Sequence, residues 1–138
     1  MIKTNELMLG DLVRLTDGQI AKVVSLYKNH KGSGGEIIVD SDLKIFNFLV
    51  RDEDIEPIPF TEETLLKNGF RIIGSFIELV EYILNDANSD ICISYNRESN
   101  EPYFYAEIAN VEVKIKYVHE LQHLLRRCGS DLADNFKI

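Results

Sequence analysis

The stretch His119-Glu120-Leu121-Gln122-His123 matches the pattern His-Glu-x-x-His. On a helix, residues four apart share one face, so both imidazoles could bind one Zn²⁺ while Glu120 acts as a general base. The stretch therefore defines an enzymatic hypothesis. The protein would be a small zinc-dependent hydrolase, with His119 and His123 as metal ligands and Glu120 as the catalytic residue.

The surroundings of the motif weigh against this hypothesis. A catalytic zinc needs a third protein ligand, yet the positions three and six residues after His123 hold Arg126 and Gly129 instead of Gly and His. Arg126 also lies one helical turn from His123, where a fixed positive charge opposes a divalent metal. The upstream carboxylates of Glu107 and Glu112 stay open as ligands.

The helix that carries the motif has an apolar stripe of its own, formed by Val118, Leu121, Leu125 and Cys128. The sequence therefore favours a packing helix over residues 117–127 with no metal and no cofactor. In this interpretation His119, Gln122, His123 and Arg126 form the polar flank of the helix. His119 and Gln122 are expected to hydrogen-bond to the sheet, and His123 is expected to face solvent.

Other stretches are weaker candidates for a site. Gly32-Ser33-Gly34-Gly35 lacks the Lys-Ser/Thr of a phosphate-binding loop, and the acidic run Asp52-Glu53-Asp54 with Glu56 lacks the spacing of a calcium loop. A hairpin loop and a solvated charge run are favoured. An aromatic set could stack the bases of single-stranded nucleic acid, although tyrosines on strands are more often core residues: Tyr95, Tyr103, Phe104 and Tyr105.

Composition excludes several classes of protein. The chain has 138 residues, 45% of them hydrophobic, and a formal net charge of -8. Neither residues 1–60 nor residues 61–138 are basic, which disfavours a general nucleic-acid binder and leaves small basic patches at residues 28–31 and at Arg126-Arg127. Cys92 and Cys128 are too few for a disulfide scaffold, and their apolar neighbours predict buried thiols. No apolar run is long enough to span a membrane, so a cytoplasmic location is expected.

Residues 1–60 read as a small β module. Asp17-Gly18 is a turn signal between two strand-like runs within residues 9–27, residues 28–35 read as a loop, and further strands are expected at residues 36–40 and 43–50. Residues 55–59 are expected to be extended because each Pro disfavours helix in the residue before it. Short strands with tight turns predict a small SH3-like β-barrel or curved sheet.

Residues 61–138 read as an α-β-β-β-α unit with an antiparallel sheet. Thr61 and Asn68-Gly69 bound a short helix. Residues 71–84 fit both a helical stripe and a strand, and remain open between the two. Alternation predicts strands at residues 91–95, 103–108 and 111–116, the last of them half-buried. The predicted class is therefore α+β, with a β module at 1–60 and an α+β unit at 61–138.

Three stretches carry a resemblance to a known family: residues 5–13, residues 56–70 and residues 117–124. Together they resemble a family of small uncharacterised proteins of Bacteroides-type bacteria, often associated with phages or mobile elements. The resemblance implies a strand after Gly69-Phe70 and a C-terminal helix in which Gln and Asn stand at the places of Glu120 and His123. It implies no known activity.

The expected function is accordingly a non-enzymatic interaction or accessory protein of a phage or mobile element, with a protein partner and no membrane partner. The small zinc-dependent hydrolase is one alternative. A weak nucleic-acid-binding module that uses the loop at residues 28–35 is another. A small-molecule ligand is left open.

Overall fold

The computed structural model describes residues 2–28, 35–41, 48–86, 90–108 and 110–138. Contacts divide the chain into two units, Met1–Ile58 and Pro59–Ile138. The class is α+β with mostly antiparallel sheets, as the sequence predicts. Among the described residues, no helix has both the length and the apolar character needed to cross a membrane.

The first unit is one antiparallel sheet of five strands in the order β4-β3-β2-β1-β5. The strands are β1 (Leu12–Leu15), β2 (Ile20–Lys28), β3 (Gly35–Asp40), β4 (Phe48–Arg51) and β5 (Ile55–Glu56). A 3-10 turn at Asp52–Asp54 precedes β5. The sheet is open and not a closed barrel, because β4 and β5 form two separate edges.

The predicted turn at Asp17-Gly18 is confirmed. Gly18 has a φ of 87°, a conformation that glycine adopts without steric cost, and its N–H donates to the carbonyl of Leu15. The register of β2 shifts between Val23 and Ser25, which marks a bulge in this long strand. Most of the predicted loop at 28–35 and of the predicted strand at 43–50 lies outside the described residues, and Lys28 and Gly35 are themselves strand ends.

The second unit is a five-stranded antiparallel meander between two helices. The elements in chain order are α1 (Glu62–Lys67), β6 (Arg71–Ser75), β7 (Leu79–Asn85), β8 (Asp90–Asn96), β9 (Tyr103–Ile108), β10 (Val111–Ile115) and α2 (Val118–Arg127). The sheet order is β10-β9-β8-β7-β6. Residues 71–84 are therefore a β-hairpin, and the predicted α-β-β-β-α unit has two more strands than expected.

The hairpin of β6 and β7 decides the open choice between helix and strand in this segment in favour of strand. Buried positions on β7 alternate with a period of two, as at Val80 and Tyr82, which pack on one face of the sheet. The sequence also fits a helical period of 3.6 because of four exposed apolar residues, which are Ile72, Ile73, Phe76 and Ile77. They lie on the edge strand β6 and its turn, where Ile77 is 94% exposed.

The two faces of this sheet differ. The buried face carries Val80, Tyr82, Ile91, Ile93, Phe104, Ala106 and Ile115. Cys92 lies on the opposite face and is exposed, so the prediction of a buried thiol is wrong there. Partial loss of solvation, together with the nearby carboxylates of Asp90 and Glu81, raises the pKa of the Cys92 thiol. Cys128 at the end of α2 is half-buried.

The C-terminal segment is tied to both helices of the unit. Asn68, at the end of α1, donates from Nδ2 to the carbonyl of Lys137 (2.7 Å) and accepts from its N–H (2.8 Å). Gln122 on α2 donates to the carbonyl of Ala133 (2.8 Å), inside a 3-10 turn at Asp131–Asn135. Buried side chains thus anchor the chain after α2, which sequence patterns did not predict.

Candidate functional site

Glu120 is the third residue of α2, and its side chain reaches back to cap the start of the helix. Its Oε2 atom accepts hydrogen bonds from the backbone N–H groups of Lys116 (2.7 Å) and Tyr117 (3.0 Å). The first turn of a helix leaves such N–H groups without partners inside the helix, and a carboxylate there also complements the helix dipole. The carboxylate that a zinc hydrolase would use as its base is therefore engaged with the backbone.

The two histidines of the motif differ in exposure. His119 is 4% exposed and its ring stacks on that of Tyr117 at 5.8 Å, whereas His123 is half-buried at the surface. The two imidazole centroids are 5.8 Å apart with an edge-on geometry. Both His119 and Gln122 are buried instead of lying on a surface flank, and Gln122, which is 1% exposed, donates to the C-terminal turn.

The described residues hold no group of three His, Cys, Asp or Glu side chains that could bind a metal ion. The open upstream ligands, Glu107 and Glu112, are exposed on the outer face of the sheet, where they stand opposite each other in the β9–β10 register. The motif thus acts locally as a cap, a buried ring and a surface histidine.

The other predicted candidates fall in different places. Residues 29–34, with most of the glycine-rich loop, lie outside the described residues. The acidic run at Asp52–Asp54 forms a 3-10 turn whose Asp54 accepts from the N–H of Arg51 (3.0 Å). Of the aromatic set, Phe104 is buried with Tyr95 stacked on it, while Tyr103 and Tyr105 lie together on the outer face.

An unpaired strand edge lies beside α2. The edge of β10 is covered at its C-terminal end, where Phe60 donates to the carbonyl of Lys116 (3.0 Å) and Pro59 bridges to Tyr117. Residues two apart on a strand direct their N–H and C=O groups to the same side. The backbone N–H and C=O groups of Lys116 point away from β9, because they bond to Glu120 and Phe60. The backbone groups of Lys114 and Glu112 therefore point the same way. We call these outward groups the β10 edge.

No strand pairs with the β10 edge in the part of the chain that the structure describes. The side chains around it are exposed as well: Val111 is 60% exposed and Val113 is 41% exposed. The predicted half-buried strand is therefore wrong except at Ile115, which is buried. The register of β10 with β9 runs without a bulge from Val111 to Ile115, so this edge presents a regular row of backbone groups.

A groove of about 220 Å³ runs between this strand and α2. Its lining, which we call the β10–α2 groove, consists of Val113, Lys114, Ile115, Glu120, His123, Leu124 and Arg127. Val113, Ile115 and Leu124 provide an apolar floor. Lys114 and Arg127 provide two positive charges, against the one carboxylate of Glu120 that already accepts two backbone N–H groups.

The positive charge of this region contrasts with the rest of its unit. Residues 61–138 carry 8 Lys or Arg and 13 Asp or Glu, and four of those eight cations fall within residues 114–127. One of the four, Arg126, forms an ion pair with Asp134 (3.6 Å). Sequence reasoning noted the basic patch at Arg126-Arg127 but missed Lys114, because only strand order shows that β10 lies at an edge.

No family model, curated protein or solved structure matches this chain.

Proposed function

We propose that this protein is a non-enzymatic interaction protein that captures an extended, acidic segment of a partner protein by strand addition at the β10 edge. The observation that carries the proposal is the regular, unpaired edge at Glu112 and Lys114, placed beside a helix. An added strand gains main-chain hydrogen bonds from such an edge, and a flanking groove selects its side chains.

The chain itself illustrates the mode of binding. Pro59 and Phe60 already pair with the C-terminal end of the same edge, at Lys116 and Tyr117. A partner strand would continue along the next two outward-facing residues. Its apolar side chains would meet Val113 and the other floor residues, and its acidic side chains would meet Lys114 and Arg127.

The test uses a labelled synthetic peptide of ten residues with alternating Glu and Val, followed by fluorescence anisotropy. Lys114→Pro removes the outward N–H and leaves the bonds of β10 to β9 in place. Lys114→Ala is the matched control, because it removes the same charge and keeps the N–H. We expect Lys114→Pro to weaken binding about tenfold more than Lys114→Ala, since one hydrogen bond is lost and its acceptor is left without a donor.

Two further measurements keep the proposal falsifiable if Lys114→Pro folds poorly. Arg127→Glu should weaken the binding of the acidic peptide and strengthen the binding of a peptide that has Lys in place of Glu. Hydrogen exchange in the unaltered protein should show the Lys114 amide protected when the peptide is bound. Equal affinity for acidic and basic peptides would overturn the acidic character of the partner. Equal effects of Pro and Ala at 114, or no protection of that amide, would each overturn strand addition.

The finer expectations from sequence belong to the same proposal. The resemblance supports a role as an accessory protein of a phage or mobile element of Bacteroides-type bacteria, acting in the cytoplasm. The order of β1 to β5 and the bulge in β2, which lets a strand bend, support an SH3-like arrangement of the first unit. Within the described residues, which leave out 29–34, no observation favours the zinc hydrolase or the loop-based nucleic-acid module over peptide capture. Stoichiometric zinc in the purified protein, lost in the His119→Ala variant, would favour the zinc hydrolase instead.

A further inference from the structure

A second concave site lies in the same unit, at the end of strands β8, β9 and β10. It is a cavity of about 450 Å³, in the range typical of small-ligand pockets. Its lining, which we call the aromatic cavity, consists of Phe60, Tyr95, Ser99, Glu101, Pro102, Tyr103, Phe104, Lys114, Ile115 and Lys116. Four of these ten residues carry aromatic rings, and two carry ammonium groups.

The rings are held in place by packing against one another. Phe104 is buried, with the ring of Tyr95 stacked on it at 4.5 Å and the ring of Phe60 meeting it edge-on at 4.7 Å. Aromatic pairs at these distances and angles are stabilising and have few alternative rotamers. The cavity therefore presents preformed flat apolar walls, which suit a planar ring.

The two lysines lie on exposed positions next to these walls. The Nζ atom of Lys114 lies 4.1 Å above the ring of Tyr103, and that of Lys116 lies 5.3 Å from the ring of Tyr117. A hydrogen bond to the carboxylate of Glu112, and next the loss of solvation, raise the pKa of the Tyr103 hydroxyl above its ordinary value. With Glu101 as the one carboxylate in the lining, the charged side chains of the cavity sum to positive.

We propose that the aromatic cavity binds a mononucleotide, with the base against Tyr95 and the phosphate on Lys114 and Lys116. Stacking on aromatic side chains tolerates every base because every base has a flat face. A single phosphate suits the cavity better than a chain of phosphates, because the lining offers only the two positive charges of Lys114 and Lys116. The mononucleotide site does not depend on the proposed peptide capture being correct, although Lys114 lines both sites.

The probes are 5′-AMP, adenosine and inorganic phosphate, with binding followed by intrinsic tyrosine fluorescence and by amide chemical shifts. The chain has six tyrosines and no tryptophan, so tyrosine emission is unobscured. We expect AMP to bind at least about tenfold more tightly than adenosine or phosphate alone, because stacking and the charge contact act together. Shifts should concentrate at Phe60, Ser99 and Tyr103.

Lys116→Met is the diagnostic variant, because Lys116 lines the aromatic cavity and not the β10–α2 groove. The variant should weaken the binding of AMP about fivefold, as expected for one exposed charge contact, and leave the binding of adenosine unchanged. Lys137→Met is the matched control, since Lys137 is exposed and uses only its backbone in the contacts with Asn68. Arg127→Glu, which tests the groove, should leave AMP binding unchanged.

Three results would overturn the assignment. Equal affinity for AMP and adenosine would contradict the role of the two lysines. Lys116→Met and Lys137→Met could have equal effects on AMP, which would place binding elsewhere. Tighter binding of a ten-residue oligothymidylate than of AMP would replace the mononucleotide by single-stranded nucleic acid. Arg127→Glu should lose binding of the acidic peptide and keep binding of AMP. A failure of one site can therefore be told apart from a failure of the other.

Discussion

At the scale of single residues, the His-Glu-x-x-His stretch separates into three local roles. Glu120 caps α2, His119 is buried beside Tyr117, and His123 lines the β10–α2 groove. A pattern that specifies residue types every four positions cannot distinguish a metal site from a capped packing helix, because both require the same helical face. The contacts of each side chain decide between them.

The capping role of Glu120 predicts the effect of removing it. Glu120→Ala should lower the free energy of unfolding by about 1 kcal/mol, because two N–H groups at the start of α2 lose their acceptor. Urea denaturation measures the change. Glu63→Ala is the control, since Glu63 forms an exposed ion pair with Lys67 and should cost less than about 0.5 kcal/mol. Equal losses in the two variants would contradict the capping role.

Gln122 offers a second test at this scale. Gln122→Ala should lower the free energy of unfolding by about 3 kcal/mol, because it leaves a cavity and takes the side-chain donor from the carbonyl of Ala133. His123→Ala, at the next position on the groove side, should cost less than about 1 kcal/mol. Thermal or urea unfolding of the two variants side by side measures the difference, and a smaller loss for Gln122→Ala would show that this contact is not stabilising.

At the scale of elements, the second unit depends on how its ends are fastened. Asn68 joins the end of α1 to the C-terminal segment through Lys137 and also donates to the carbonyl of Thr64 (2.8 Å). Gly69 follows with a φ of 84°, which ends the helix as Asn68-Gly69 predicts. The cap signal was readable in the sequence, whereas the contact with a residue 69 positions away was not.

A pair of substitutions tests this fastening. Asn68→Ala removes both donated bonds and the acceptor for the Lys137 N–H, and should lower the free energy of unfolding by about 2–3 kcal/mol. Asn68→Asp keeps the acceptor atom and removes the donors. Hydrogen exchange should therefore show the Lys137 amide protected in the Asp variant and unprotected in the Ala variant. Protection in both variants would mean that another group holds this segment.

At the scale of the whole molecule, titration of a buried tyrosine links stability to pH. Burial, and next the carboxylate of Glu62, raise the pKa of the Tyr82 hydroxyl well above the ordinary value of 10.0. The unfolded chain releases this proton near pH 10 while the folded chain retains it. The stabilising contribution is therefore fully present below pH 10 and is lost as the pH rises toward the pKa of the folded state.

Tyr82→Phe should flatten this alkaline loss of stability. In the unaltered protein, Tyr82 contributes a slope that approaches about 1.4 kcal/mol per pH unit above pH 10. Urea denaturation at pH 8, 9, 10 and 11 measures the slope in both proteins. Tyr27→Phe is the control, because Tyr27 is exposed and lies in the other unit. An unchanged slope in Tyr82→Phe would show that Tyr82 titrates normally.

Short-range patterns in the sequence were enough for several parts of the fold. Four features were predicted correctly, because each depends on neighbours a few positions apart. They are the Asp17-Gly18 turn, the Thr61 cap, the helix after Tyr117 and the strands after residue 90. The α+β class followed from the same local features. Residues 71–84 were left ambiguous because exposed apolar residues on an edge strand blur the periodicity.

Tertiary structure alone decided which surfaces are buried and which are open. The alternation of Val111, Val113 and Ile115 predicts a half-buried strand, yet β10 is an edge and only Ile115 is buried. Burial of a strand depends on what packs against it and what pairs beside it, and strand order is set by contacts between residues far apart in the chain. For that reason the sequence predicted a packing helix at α2, and only the packed structure showed the unpaired strand edge beside that helix.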